Sequence, residues 1–166
     1  MCVYMVYLKY ILRRVHMKIA EALQLRADLQ KRIEQLKRRL INNATVQAGE
    51  QPAEDPNELL QQLDAMLLEL EALMTRINLT NATTMADGDS LTALIAKRDC
   101  LKIDIEAYRS VLDEASNLTM RVRGSEIIIK STIPVAQLQK QVDEKSKALR
   151  ILENIIQKQN WLQDLK

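Results

Sequence analysis

Few residues in this 166-residue chain combine the type and the spacing that chemistry requires. The single histidine, His16, lies in an apolar stretch near the start, so a histidine triad or general base has nothing to draw on further along. The same scarcity removes the Glu-x-x-His pairs of a carboxylate-bridged di-iron bundle. Cys2 and Cys100 stand in unlike contexts without metal-ligand or redox spacing, which suits reduced thiols in a cytoplasmic protein. Each of the three glycines stands alone in a turn context, and none belongs to a phosphate-cradling loop. What remains is charge in unusual places. Arg26 and Arg98 fall on otherwise apolar helical stripes, where an arginine must reach a carboxylate or extend its head to water. Arg98, followed by Asp99, admits two readings: an anion site within a bundle, or an ion pair with a carboxylate such as Asp64, Glu69 or Glu71. The pairing follows from the rule that buried charges are paired. Trp161 is expected to plug the packing at a helix end rather than touch a ligand. No enzymatic activity, cofactor, metal or small-molecule ligand is expected.

The elements that position these residues are helices. Three glycines, three prolines and 3% aromatic residues, beside abundant Leu, Ala, Gln, Glu, Lys and Arg, leave little material for sheets or long loops. From Lys18 onward, Ile19, Ala22, Leu29, Ile33, Leu36 and Leu40 recur on a 3-4 spacing, the mark of one buried helical face. A loop with Gly49, Pro52 and Pro56 follows, and Asp55, Pro56 and Glu58 make a good helix start. Beyond it Leu59, Leu63, Met66, Leu70, Leu73 and Ile77 repeat in heptad phase, while Leu60, Leu67 and Met74 widen the stripe enough for a second neighbour. These two helices should pack as an antiparallel hairpin. Asp87-Gly88 signals a turn and Ser90 a cap for a third helix. Alternation from Leu118 and the Ile-rich run holding Ile127 and Ile129 read as an arm that pairs with another copy or folds onto its own helices. Pro134 starts a last helix, with Lys145 interrupting its seam.

The expected fold is mainly all-α. It has four long helices, at about 18–43, 56–79, 90–117 and 134–161, in antiparallel bundle or coiled-coil hairpins, with one short β-hairpin or extended arm at about 118–133. Residues 17–166 read as one domain. Residues 1–16 are an apolar leader, too short to span a bilayer and without the charge order of a secretory signal; they read as a surface anchor or as sequence upstream of a start at Met17.

Net charge is only +2, but it is unevenly spread. The first helical stretch is basic through Arg26, Lys31, Arg32, Lys37, Arg38 and Arg39, and the next is acidic from Glu50 to Glu71. The acidic neighbour can neutralise the basic helix internally, and no aromatic residues interleave with the cations to stack bases, so nucleic acid is not an expected partner. Four tripeptides match the glycosylation pattern, beginning at Asn43, Asn78, Asn81 and Asn117, and read as chance matches at places where helices stop.

Several phrases in order carry a resemblance: RADLQKRIEQL, AGEQPAEDP with ELL, INLTNATT, AKRD ending at Asp99, SEIIIKST, LQKQVDE and Asn160-Trp161. Together they resemble the bacterial septicolysin-like family of uncharacterised proteins from Met17 onward. The resemblance implies a small helical bacterial protein and a name suggesting a cytolysin, with no functional residues to transfer. Two functions follow as expectations. One is a non-enzymatic cytoplasmic protein that self-associates through its helices and the arm. The other is a membrane-active pore-former, with membrane contact only in that case.

Overall fold

Helices form where the periodic stripes run. Among the described residues they are α1 (Ile19–Asn43), α2 (Pro56–Thr83), α3 (Leu91–Ser116) and α4 (Val135–Leu162). The structure, a computed structural model, describes residues 17–117 and 130–166. The leader 1–16 and most of the expected β arm, including Ile127 and Ile129, lie outside the described residues.

Each helix start has a local cause. At α1 the Lys18 amide donates to Glu21 Oε2 at 2.8 Å. At α2, Pro56 occupies the first turn and Asp55 accepts from the Asn57 amide at 2.8 Å. Ser90 Oγ accepts from the Ala93 amide at 3.2 Å to start α3. Pro134 contributes its carbonyl to the Gln137 and Leu138 amides at 3.0 and 3.1 Å, opening α4.

Helix α2 runs beyond its expected end near residue 79. Thr80 and Thr83 turn their hydroxyls back onto the carbonyls of Arg76 and Leu79, at 2.8 and 2.9 Å, so this Thr- and Asn-rich stretch stays helical. It thereby places Asn78 and Asn81 inside a helix, whereas Asn43 and Asn117 do stand at helix ends. The chain then folds into a two-stranded antiparallel ribbon, β1 (Met85–Ala86) against β2 (Asp89–Ser90). Both central residues of its turn have positive φ, 52° at Asp87 and 88° at Gly88, the mirror-image turn that favours Asp-Gly. The sequence reading has only a loop here, because strands of two residues are too short to show alternation.

The chain divides into two compact units. One unit comprises the chain through Thr84 together with Gln159–Lys166, and the other is Met85–Lys158. Helix α4 contributes to both.

In the first unit α1 and α2 form the expected antiparallel hairpin. Ala22 and Leu29 pack with Leu73 and Ile77, and Leu165 completes the cluster from the far end of the chain. Main-chain bonds fix that insertion: the Leu165 amide donates to the Met17 carbonyl at 2.7 Å, and the Ile19 amide to the Gln163 carbonyl at 3.1 Å. Lys18 pairs with Asp164 at 2.7 Å. Thr80, fully buried, accepts from the Lys166 amide at 2.9 Å, and Arg76 Nε donates to the Lys166 main-chain oxygen at 2.8 Å.

At the opposite end of the hairpin the buried Asn43 donates to the Arg39 carbonyl at 2.9 Å and accepts from the Glu54 amide at 3.1 Å. Arg39 grips the Glu54 carboxylate through two nitrogens. Their hydrogen bond holds the Glu54 carboxyl below the usual glutamate range and Arg39 above its own.

In the second unit α3 and the matching part of α4 run antiparallel, with Leu112, Leu138 and Val142 buried between them and Tyr108 and Val135 alongside. These helices stand further apart than α1 and α2. Long side chains bridge them. Lys145, on the expected seam, pairs with Asp104 and lies 4.5 Å above the Tyr108 ring. The hydrogen bond to Asp104 holds the Lys145 ammonium above its ordinary pKa. Lys102 and Glu153 form a second bridge at 2.7 Å.

Two predictions follow from these ties. Thr80→Val keeps the shape but removes a buried acceptor and donor, so it should destabilise the protein by about 1–3 kcal/mol. Hydrogen exchange should quicken at the Leu165 and Lys166 amides, and an unchanged exchange rate there would exclude Thr80 as the anchor. Lys145 has a raised folded pKa, so its stabilisation is complete below the ordinary lysine value of about 10.4 and is lost as pH rises through the folded value. The thermal midpoint should therefore fall more steeply above about pH 10 in the wild type than in Lys145→Gln, and parallel profiles would refute this linkage.

Candidate functional site: a cleft between the third and fourth helices

The wider spacing of α3 and α4 leaves a cleft of about 520 Å³. On the α3 side Lys102, Glu106, the adjacent Arg109 and Ser110, and Asp113 recur every three or four residues and so share a face. The α4 side supplies Ser146, Leu149, Arg150 and Glu153. Ile105, buried, and Leu149, half-buried, give the lining its apolar part. Cations and carboxylates alternate along the walls, so no single sign of charge prevails.

The hydroxyls in the cleft are engaged without a base. Ser110 Oγ donates to the Glu106 carbonyl of its own helix at 3.0 Å. Ser146 Oγ accepts from Arg109 at 3.4 Å, and an arginine cannot take a proton from it. The Lys102–Glu153 pair satisfies the charges at one end. Among the described residues no group of three or more His, Cys, Asp or Glu is placed to hold a metal ion. Such a surface can hold a partner by matched polar contacts; it offers no activated nucleophile.

The residues singled out in the sequence fall elsewhere. Arg98 takes its carboxylate from its own neighbour, Asp99 Oδ1, at 2.8 Å from Nε and 2.6 Å from the terminal nitrogen. The pair is local and partly exposed. Arg26 is half-buried on the α1 stripe, and its Nε is closed off without a hydrogen-bond partner. Trp161 is 62% exposed and plugs nothing. The adjacent Asn160 is the buried residue of that turn, and one step along a helix rotates the next side chain by about 100° toward solvent. Arg26 and Trp161 belong to one unit and Arg98 and Asp99 to the other, and none of the four lines the cleft.

The cleft residues escaped sequence reading for a definable reason. The charges at Lys102, Glu106, Arg109 and Asp113 are legible as a helical face, but such a face is ordinarily solvated. Only the register of α4 against α3 turns it into one wall of a cleft. The Lys145 interruption was the available signal, since a cation on a seam needs a carboxylate opposite.

The internal neutralisation expected between the basic and acidic stretches is made chiefly at Arg39 and Glu54. Lys31, Arg32 and Arg38 are exposed and form no ion pair among the described residues, and the same holds for Asp64 and Glu71. The apolar seam consumes the facing sides of both helices, so these charges lie away from the shared surface. Among the described residues no helix is long and apolar enough to cross a membrane.

Comparison with known proteins sets this geometry in a family. A family of unknown function (DUF6847) matches residues 26–165. Among solved structures, a functionally unknown conserved protein from Corynebacterium diphtheriae is similar, with 34% sequence identity and a TM-score of 0.84. The match covers 91% of this chain and 99% of that one. No curated protein matches. These findings overturn the septicolysin-like resemblance, to which none of them points, and the cytolysin reading that rested on it loses its ground. On a family match spanning most of the described residues, the chain belongs to the DUF6847 family, whose function is unknown.

Proposed function

We propose that this is a non-enzymatic cytoplasmic protein that self-associates and serves a structural or interaction role. The observation that carries the reading is a line of apolar side chains on α2 that its own hairpin leaves uncovered. Leu60, Leu67 and Met74 recur every seven residues and remain 49%, 45% and 40% exposed. Single exposed leucines need no explanation, but three in register along one helix make a seam that lacks a partner helix. The balanced charge of the α3–α4 cleft, and its serines without a base, also favour holding a partner over catalysis. The exposed free thiol of Cys100 suits a reducing compartment.

Light scattering after size exclusion tests this directly. The protein should run as a discrete multimer at micromolar concentration. Replacing Leu60, Leu67 and Met74 together with Gln should leave helicity unchanged. Each half-buried apolar side chain contributes about 1 kcal/mol to association, so the triple variant should bind its own kind more than about a hundredfold more weakly. A monomeric wild type at high concentration would overturn the proposal.

A further inference from the structure

The hairpin of α1 and α2 has two sides, and only one is taken at its open end. Its buried seam is Ala22, Leu29 and Leu36 on α1 and Leu59, Leu73 and Ile77 on α2. Antiparallel helices turn in opposite senses when viewed from one end. The residues that precede the seam on both helices therefore share one side, and those that follow it share the other. Arg76, before Ile77, and Lys18, before Ile19, hold the C-terminal segment by the Lys166 and Leu162 main-chain oxygens, at 2.8 and 3.0 Å. That segment lies on the preceding side.

The following side carries the exposed line of α2. Leu60 follows Leu59, Leu67 follows Met66 and Met74 follows Leu73, with the exposed Asp64 and Glu71 between them. Helix α1 brings Leu23, Gln30 and Lys37 to this same side, directly after Ala22, Leu29 and Leu36, and the exposed Ile41 follows one turn later. Lys37 lies 4.0 Å from Glu34 of its own helix, and Asp64 has no ion pair among the described residues.

The two helices also agree in height. Leu29 and Leu73 pack in one cluster, so they give a common origin. From there toward the loop, at 1.5 Å per residue, Lys37 and Asp64 stand at about 12 and 14 Å, and Ile41 and Leu60 at about 18 and 20 Å. Gln30 and Glu71 stand at about 2 and 3 Å. A two-fold axis running along the hairpin preserves these heights and lays α1 of each copy over α2 of the other.

We infer that a second copy of this chain occupies the exposed line of α2 in this way. Lys37 of each copy meets Asp64 of the other, Ile41 covers Leu60, and Gln30 donates to Glu71. Each α1 is then flanked by two α2 helices in a four-helix bundle. Pairing α2 directly on α2 would instead set the carboxylates of one copy against those of the other. The inference rests on the self-association proposed above and specifies its surface.

Charge exchange tests it with full-length protein, circular dichroism checking that each variant folds. Lys37→Glu and Asp64→Lys, made separately, should each weaken self-association about tenfold, because the two-fold axis makes both contacts like-charged. The two variants mixed, and the double variant K37E/D64K alone, should regain wild-type association, since every contact is again opposite in sign; native mass spectrometry reads the species. Lys31 stands about 200° round α1 from Leu29, on the far surface, so Lys31→Glu should change nothing. A dimeric wild type that ignores the Lys37 and Asp64 reversals would overturn this interface while leaving self-association standing. Failure of the double variant to recover, or weakening by Lys31→Glu equal to that by Lys37→Glu, would overturn it too. A monomeric wild type would remove both the interface and the reading on which it rests.

Discussion

The insertion of Leu165 between α1 and α2 is the constraint on which the first unit depends. Ala22 and Ile77 are small or moderate side chains, and without a third contributor the open end of the hairpin would leave their faces wet. Burying Leu165 contributes about 2 kcal/mol. Its position is then made unique by polar bonds: the Met17 carbonyl takes its amide, and Thr80 takes the amide after it. Thr80 sits in a fully buried place where a hydroxyl would be costly alone, and it is tolerated because the Arg76 carbonyl and the Lys166 amide satisfy it on both sides.

The two helix pairs use different physics. Apolar side chains at heptad spacing bring α1 and α2 close together, which turns Lys31, Arg32, Arg38, Asp64 and Glu71 outward. The pair α3 and α4 is held open by Lys145 with Asp104 and by Lys102 with Glu153, so charge is consumed between the helices. The first arrangement yields a face and the second a cleft. The charge distribution visible in the sequence thus has opposite consequences in the two pairs, according to whether the apolar seam or the charged bridges set the separation.

Helix positions were legible to within a few residues because capping residues and apolar periods are local signals. Asp55-Pro56, Ser90 and Pro134 mark their helix starts unaided. The extension of α2 to Thr83 was not legible, because Thr80 and Thr83 are poor helix residues until their hydroxyls find the carbonyls four residues back. The ribbon at 85–90 is too short to show a period, although its Asp-Gly turn was readable. The cleft was hidden because the residues of its two walls stand more than thirty positions apart in sequence, and nothing in either wall encodes their register.

Joining Lys18 to Leu162 across 144 positions also orders events during synthesis. The α1–α2 hairpin emerges from the ribosome early, with every local signal it needs to coil, but the residues that close it are translated more than eighty positions after α2 ends. Until then the nascent hairpin carries an uncapped apolar end, at translation speeds of about 5–20 residues per second an interval of several seconds. Completion of this unit is therefore timed by the ribosome rather than by the intrinsic folding rate of its helices, and chaperone contact with the nascent chain should concentrate in that interval.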